Sequence, residues 1–191
     1  MQKGKYLSSL LRSNQTIFTL KDIALLWQET DTGATRVRLN YYVKKGSLFR
    51  LRRGLYSKNK KPDSLEIAIK IFTPSYISFE TVLLKDGLIF QYQNKVTVAS
   101  YLTREIKIND QVFSFRKVKN AVLMNNIGIA NENNISIATK ERAFLDTLYS
   151  NIDFHFDNLR SLNWNKVLEL LPNYSNKRMA KTVNNLYKEN L

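Results

Sequence analysis

Residues 44–61, KKGSLFRLRRGLYSKNKK, combine a dense positive charge with a regular apolar rhythm. Eight of these eighteen residues are lysine or arginine, and over residues 48–52 apolar side chains alternate with arginine. Such alternation, with a period of two, predicts a β-strand. Arg53-Gly54 predicts a turn, because glycine readily adopts positive φ, and residues 55–56 predict the returning strand. The segment therefore predicts a β-hairpin that carries basic side chains at its tip and on its outer face.

Three helices are predicted before this hairpin. The first is KYLSSLLR, residues 5–12, in which apolar residues recur at helical spacing. The second follows Thr19, which stands three residues before Asp22 as in a capping box. The third is ATRVRLNYYVKK, residues 34–45, which Gly46 is placed to end.

The third helix is predicted to have two different faces. At 100° per residue, Leu39, Tyr42 and Val43 share an apolar face. The remaining surface is basic and rich in hydrogen-bonding groups, and it holds Arg36, Val37, Arg38, Asn40, Tyr41, Lys44 and Lys45. Three helices followed by a basic hairpin predict a winged helix-turn-helix, in which the third helix enters the DNA major groove and the wing contacts the backbone or minor groove.

The distribution of charge supports binding to a polyanion. The chain has a formal net charge of +14, yet residues 1–61 hold 14 basic and 3 acidic side chains, a net of +11, against a net of +3 for residues 62–191. Six of the eleven arginines also lie in the first 61 residues. A basic module beside a nearly neutral body is typical of nucleic-acid binding. We expect a DNA-binding domain over residues 1–61 and a second domain over residues 62–191, with the boundary at Pro62.

The predicted DNA contacts fall into two groups. Base edges should be read by the first half of the third helix, that is by Thr35, Arg36, Val37, Arg38 and Asn40. Phosphates should be contacted by Arg50, Arg52, Arg53 and Lys58, and the predicted surface also includes Tyr41, Lys44 and Lys45. The alternative is that this basic face is simply exposed to solvent. For a basic helix considered without the hairpin and the charge distribution, this is the commoner case.

The second domain is predicted to be α+β. Helices are predicted with Ser64 and Ser78 as their N-terminal caps, the latter ending at Gly87. Strand-like runs KVTVAS, REIKI, QVFSFRKV and NISIA follow and predict a mainly antiparallel sheet. C-terminal helices complete the chain. The last of them carries a basic patch that is either a contact for DNA or toxin or a solvated face, formed by Lys177, Arg178, Lys181 and Lys188.

Sequence features of enzymes are largely missing. The chain has no cysteine and one histidine. It contains neither of the two glycine-rich phosphate-binding motifs, G-x-x-x-x-G-K-[ST] and G-x-G-x-x-G. Asp153, His155 and Asp157 are a weak metal-binding pattern, and Asp86 with Glu105-Ile106-Lys107 resembles the carboxylates and lysine of Mg²⁺-dependent nucleases. We predict no catalytic residue, metal or cofactor, and we keep a DNA nuclease targeted by a winged helix as the alternative function.

The absence of cysteine and of a long apolar segment predicts a cytoplasmic protein without membrane association.

Three sequence blocks carry a resemblance to a known family. They are RVRLNYYVKKGSLFRLRRGLYS (36–57), PSYISFETVLLKDGL (74–88) and ISIATKERAFLDTLY (135–149). Together they resemble the AbiEi-type antitoxins of bacterial type IV toxin-antitoxin systems, and the resemblance extends from about Thr16 to Tyr149. The family-type residues in the first block are Gly46, Leu48, Arg53, Gly54 and Tyr56. Those in the other blocks are Ser78, Phe79, Glu80, Gly87, Thr139, Glu141, Arg142, Ala143 and Asp146.

A homodimer on DNA is a possible form of the protein. The resemblance implies a transcriptional repressor of its own operon that acts on double-stranded promoter DNA. It also implies that the second domain counteracts a nucleotidyltransferase-like toxin encoded beside it. The residues expected to contact that partner are Ser78, Glu80, Glu141, Arg142, Asp146, Lys177, Arg178 and Lys181. Because Arg142 and Asp146 are four residues apart on a predicted helix, a plain ion pair on the helix surface is the alternative for these two.

Overall fold

The computed structural model describes residues 5–190, and the chain divides into two compact units. The first unit ends at Ile71 and the second begins at Phe72. The sequence placed the domain boundary earlier, at Pro62. The helix that follows this proline belongs to the first unit, because the side chain of Glu66 attaches it there, as described below.

The first unit has the order helix, strand, helix, helix, hairpin, helix. Its elements are α1 Lys5–Arg12, β1 Ile17–Thr19, α2 Leu20–Trp27, α3 Thr32–Lys44, β2 Phe49–Arg52, β3 Leu55–Ser57 and α4 Ser64–Ile71. The three strands form an antiparallel sheet in the order β1-β3-β2. The predicted three helices and the basic hairpin are confirmed. β1 was not predicted, because three residues are too few to show alternation.

One apolar core holds the helices α1, α2 and α3 to the sheet of this unit. The buried residues of this core are Leu10, Phe18, Ile23, Trp27, Leu39, Tyr42, Leu48 and Tyr56. Trp27 belongs to this core, and its ring lies edge-on to the rings of Tyr6 and Tyr42, at centroid distances of 5.2 Å and 6.2 Å. Its indole N–H donates to the carbonyl oxygen of Tyr6 at 2.8 Å. Aromatic pairs of this geometry stabilise beyond the area they bury, so Trp27 fixes α3 relative to α1.

Helix α4 is attached to the first unit by a buried carboxylate. Glu66 is only 5% exposed, and its Oε1 accepts hydrogen bonds from the backbone N–H groups of Thr16 at 2.8 Å and Ile17 at 3.0 Å. A buried charge of this kind is tolerated only when it is hydrogen-bonded. The N-terminal cap predicted at Ser64 is wrong, because Asp63 accepts the hydrogen bond from the N–H of Leu65 at 2.7 Å.

The second unit is built around a six-stranded sheet in the order β6-β7-β5-β4-β9-β8. Its strands are β4 Ser75–Ile77, β5 Lys95–Ser100, β6 Arg104–Ile108, β7 Gln111–Lys117, β8 Ile129–Glu132 and β9 Ile135–Ala138. Its helices are α5 Glu80–Lys85, α6 Asn120–Leu123, α7 Lys140–Ser150, α8 Trp164–Leu170 and α9 Lys177–Glu189, with a 3-10 helix at Leu171–Tyr174. Three of the five strand pairings are antiparallel and two are parallel. The predicted α+β class with a mainly antiparallel sheet and C-terminal helices is confirmed.

The centre of this sheet differs from the prediction. β4 pairs with β5 and with β9, although the sequence indicated no strand there. The helix predicted to start at a Ser78 cap begins at Glu80, after Phe79 with φ +57° and without a side-chain cap. Ser78 instead lies in the turn between strand and helix, and Gly87 follows the helix with φ +71°, as predicted.

Within residues 5–190, none of the helices combines the length and the apolar character that crossing a membrane requires.

Candidate nucleic-acid interface

The outer face of α3 carries two parallel rows of exposed side chains. One row is polar and basic and consists of Arg36, Asn40 and Lys44, spaced four residues apart. The adjacent row begins with Val37 and Tyr41, which are 70% and 57% exposed. Because residues four apart lie above one another on a helix, both rows run along the helix and are presented to solvent together.

Local sequence fixes where this helix starts and which face it buries. Asp31 caps the N-terminus, and its Oδ1 accepts from the N–H of Gly33 at 2.7 Å. Leu39 and Tyr42 lie buried in the core, and Gly46 follows the helix with φ +70°. The apolar face therefore points inward as the sequence predicted, and the basic rows point outward.

Thr35 was predicted to read bases, and that prediction is wrong. The residue is fully buried, and its hydroxyl donates to the carbonyl oxygen of Asp31 at 3.0 Å. A threonine can satisfy its hydroxyl within its own helix in this way. Thr35 lies four and seven residues before the buried Leu39 and Tyr42, so the helical repeat places it on the same inner face.

Arg38 has protein partners of its own. Its guanidinium pairs with the carboxylate of Glu29 and lies 4.4 Å from the ring centroid of Tyr6. The hydrogen bond from Arg38 lowers the pKa of Glu29, and the same bond raises the pKa of Arg38. No sequence pattern indicated this pair, because Glu29 lies beyond the turn that precedes α3. Arg38 is therefore less available to an outside partner than the exposed cations Arg36 and Lys44.

The hairpin presents its arginines as predicted. Arg50 and Arg52 are exposed on β2, and Arg53 is exposed in the turn with Gly54 at φ +81°. Lys58 differs from them, since it is half-buried and its Nζ donates to the carbonyl oxygen of Ser13 at 2.7 Å. The three arginines, rather than the lysine, are the cations that the wing presents to solvent.

The first unit carries a set of exposed cations on α3, at its C-cap and on the hairpin. The set consists of Arg36, Lys44, Lys45, Arg50, Arg52 and Arg53. None of these six forms an ion pair with a residue in the described part of the chain. Unpaired arginine and lysine side chains are what neutralise phosphates and release counterions. We refer to this set, together with Asn40, Val37 and Tyr41, as the basic surface.

Most residues predicted to contact a protein partner lie inside the second unit instead. Ser78, Glu80, Glu141, Arg142 and Asp146 are all at most 6% exposed. As placed in the structure, none of them can form an exposed contact surface. Arg142 and Asp146 do form the i, i+4 ion pair that the sequence indicated, but the pair is buried and does not lie on the helix surface.

The reason is a buried polar network centred on Asp146. Its carboxylate accepts hydrogen bonds from the hydroxyls of Ser78 at 2.7 Å, Tyr174 at 2.7 Å and Tyr76 at 3.0 Å. Arg142 Nε lies 3.5 Å from Asp146 Oδ1. Burial raises the pKa of Asp146, against the lowering effect of the arginine and the three hydroxyls. Burial likewise raises the pKa of Tyr174.

The network links several elements of the second unit. Arg142 donates through Nη1 to the carbonyl oxygen of Ile127 at 2.8 Å and through Nη2 to that of Val122 at 2.6 Å. Helix α7 is thereby bonded to α6 and to the segment before β8, while Asp146 bonds to the end of β4. The network therefore stabilises the packing of α7 against its neighbouring elements in the second unit.

Glu80 has a separate role near the sheet. Its Oε1 pairs with Arg116 Nη2 at 2.8 Å, and the guanidinium also lies 4.9 Å from the ring centroid of Phe79. Glu141 accepts a hydrogen bond from the N–H of Asn163 at 3.3 Å. Each of these carboxylates therefore connects neighbouring elements of the same unit.

Three predicted partner residues are exposed. Lys177, Arg178 and Lys181 project from α9, whose opposite side buries Met179 and Val183. Asn176 caps this helix by accepting from the N–H of Met179 at 3.2 Å. The basic patch predicted at the C-terminal end is therefore present on the surface of the second unit.

The geometry does not support the two metal-binding patterns considered. Residues 5–190 contain no group of three or more side chains arranged to hold a metal ion. Glu105 pairs with Lys95 at 3.0 Å on the exposed surface. Asp157 uses its Oδ2 to accept from the N–H of Phe90 at 2.8 Å. Nothing in this geometry favours the nuclease alternative.

The fold and the basic surface together define the class of the first unit. Its helices α1 to α3, the strand between α1 and α2, and the arginine-tipped hairpin are those of a winged helix-turn-helix, a class that binds DNA through the third helix and the wing. Residues 5–57 match a protein family described as a transcriptional regulator, AbiEi antitoxin. This match confirms the family resemblance for the winged helix. The chain matches no curated protein.

Proposed function

We propose that this protein is a transcriptional autorepressor that binds double-stranded DNA at its own promoter in the cytoplasm, and an antitoxin that counteracts a nucleotidyltransferase-like toxin encoded beside it. The observation that carries the DNA-binding half is the basic surface, whose six cations on α3 and the wing form no ion pair within residues 5–190. The antitoxin half rests on the family resemblance and on the match of residues 5–57.

In the proposed complex, α3 enters the major groove and the wing follows the backbone. Arg36 has the paired donors that recognise guanine, and Asn40 has the donor and acceptor that recognise adenine. Lys44, Arg52 and Arg53 contact phosphates, which positions the helix without reading sequence. Two copies bound to half-sites about one helical turn apart would gain affinity from each other, which is the form in which a homodimer fits the proposal.

The second unit is assigned the antitoxin action. Since seven of the nine family-type residues of this unit are buried and Gly87 and Thr139 are half-buried, we propose that they maintain its structure and that any direct contact uses exposed side chains. Lys177, Arg178 and Lys181 are the predicted partner residues that meet this condition.

The test separates the two activities in the full-length chain. The gene pair is expressed from an unrelated promoter to score growth, while a reporter under the native promoter scores repression. Arg52→Ala with Arg53→Ala should abolish repression and leave growth rescue intact. Alanine at Lys177, Arg178 and Lys181 should do the reverse.

Two outcomes would contradict the proposal. Loss of rescue in the wing variant, at equal protein level, would show that the basic surface belongs to the antitoxin action and that the two units do not act separately. Unchanged repression in the wing variant would remove the basic surface from promoter binding.

A further inference from the structure

The second row of α3 contains apolar surface where the rest of the helix exterior is polar. Val37 is 70% exposed and lies beside Arg36 and one turn before Tyr41. The Tyr41 ring is held edge-on to Tyr42 at 5.5 Å, with Lys45 Nζ 6.0 Å from its centroid. Tyr41 therefore has neighbours that orient its ring, whereas Val37 presents its two methyl groups to solvent.

The fold gains little from valine at this position. A β-branched side chain lowers helix propensity relative to alanine, because its χ1 rotation is restricted by the preceding turn. A single exposed apolar residue is common on protein surfaces, and Leu25 on α2, 77% exposed, is an example. Val37 differs in its setting, because it lies in the first half of α3 beside the row that holds the side chains with base-reading chemistry, Arg36 and Asn40.

We infer that Val37 is a specificity-determining residue that packs against the 5-methyl group of a thymine in the major groove. This inference rests on the proposed function and adds to it a base that the protein selects. Among the four bases, only thymine presents a methyl group in the major groove, and apolar side chains recognise it by contact. Valine has no donor or acceptor, so it distinguishes bases only through this group. Arg36 and Asn40, in the adjacent row, supply the polar contacts that hold the register.

The experiment removes the methyl group from either partner. Footprinting first locates the site that the protein protects in its own promoter. Each thymine in that site is then replaced, one at a time, by uracil, which keeps every hydrogen-bonding group and lacks only the methyl. The wild-type protein should lose affinity about four-fold at one or two positions, the value of one buried methyl group.

The protein variant should show the matching loss. Val37→Ala should bind the thymine site about four-fold more weakly and should show no further loss when uracil replaces the critical thymine. Because the side chain is exposed, its thermal unfolding should be unchanged or slightly raised. Leu25→Ala, which truncates an equally exposed apolar residue outside α3, should keep the full uracil sensitivity of the wild-type protein.

Three results would overturn the inference. If the wild-type protein prefers its promoter but tolerates uracil at every position, no methyl group is read and the proposed function stands alone. If Val37→Ala keeps the uracil sensitivity, another side chain makes the contact. If the wild-type protein shows no preference for its promoter over random DNA, the proposed function is refuted and the inference falls with it.

Discussion

Replacing Arg52 and Arg53 by alanine is the most direct test of the basic surface. Both side chains are exposed at the tip of the wing, and neither forms an ion pair with a residue between positions 5 and 190. Their removal should therefore leave the folded structure intact. If both contact phosphates, the variant releases fewer counterions when it binds DNA.

The size of the effect follows from how many phosphates the variant no longer neutralises. Each phosphate contact changes the slope of log affinity against log salt by about 0.9 for duplex DNA, so two contacts change it by about 1.8. The wild-type protein should then lose about 12-fold more affinity than the variant when salt rises from about 50 to about 200 mM. The same change is expected for operator and for random DNA, because phosphates carry no sequence information.

Fluorescence anisotropy with labelled duplexes over a salt series measures this slope. Lys85→Ala with Lys107→Ala is the matched control, since it removes two exposed positive charges from the second unit. An equal change of slope in the control would show that total charge, and not the wing, determines affinity. An unchanged slope in the Arg52, Arg53 variant would refute the phosphate contacts altogether.

Three further predictions concern side chains of different types. Alanine at Arg36 or Asn40 should reduce the preference for operator over random DNA by about 1–3 kcal/mol, measured by competition binding, whereas an equal loss on both DNAs would indicate backbone positioning only. Glu29→Gln should release the guanidinium of Arg38 and steepen the salt slope for random DNA by about 0.9 if that cation reaches a phosphate, and an unchanged slope would show that it does not. Asp146→Ala should lower the free energy of unfolding in urea by about 3–5 kcal/mol, because it removes the carboxylate that pairs with the buried guanidinium of Arg142, and a loss below about 1 kcal/mol would contradict the assigned role.

The first unit could be predicted from sequence because its signals are local. Alternation over residues 48–52 and the glycine at position 54 are sufficient to indicate a hairpin. The capping box formed by Thr19 and Asp22, confirmed by hydrogen bonds of 2.9 and 3.1 Å, marks the start of α2. Each signal involves residues within a few positions of one another, so it favours the local structure without requiring contacts from distant parts of the chain.

The two short strands β1 and β4 had no such signal. Each has three residues, and each is a strand only because partners far along the chain supply hydrogen bonds. Glu66 shows the same dependence, since a glutamate in a helix indicates nothing about the distant N–H groups from which it accepts. Its hydrogen bonds with Thr16 and Ile17 attach α4 to the first unit, so the division between the units falls at Ile71.

The side chains of the predicted sites show most clearly what tertiary structure decides. Arg142 and Asp146 are four residues apart, a sequence pattern that is the same for a surface helix and for a buried one. Only the elements packed around α7 bury these two side chains. Thr35 is buried and Arg36 exposed, although both are polar neighbours on one helix. A sequence records which groups can donate, accept or carry charge. Whether those groups remain available to a ligand depends on the neighbours that packing brings to them, because burial and hydrogen bonding are properties of the assembled fold and not of the residue.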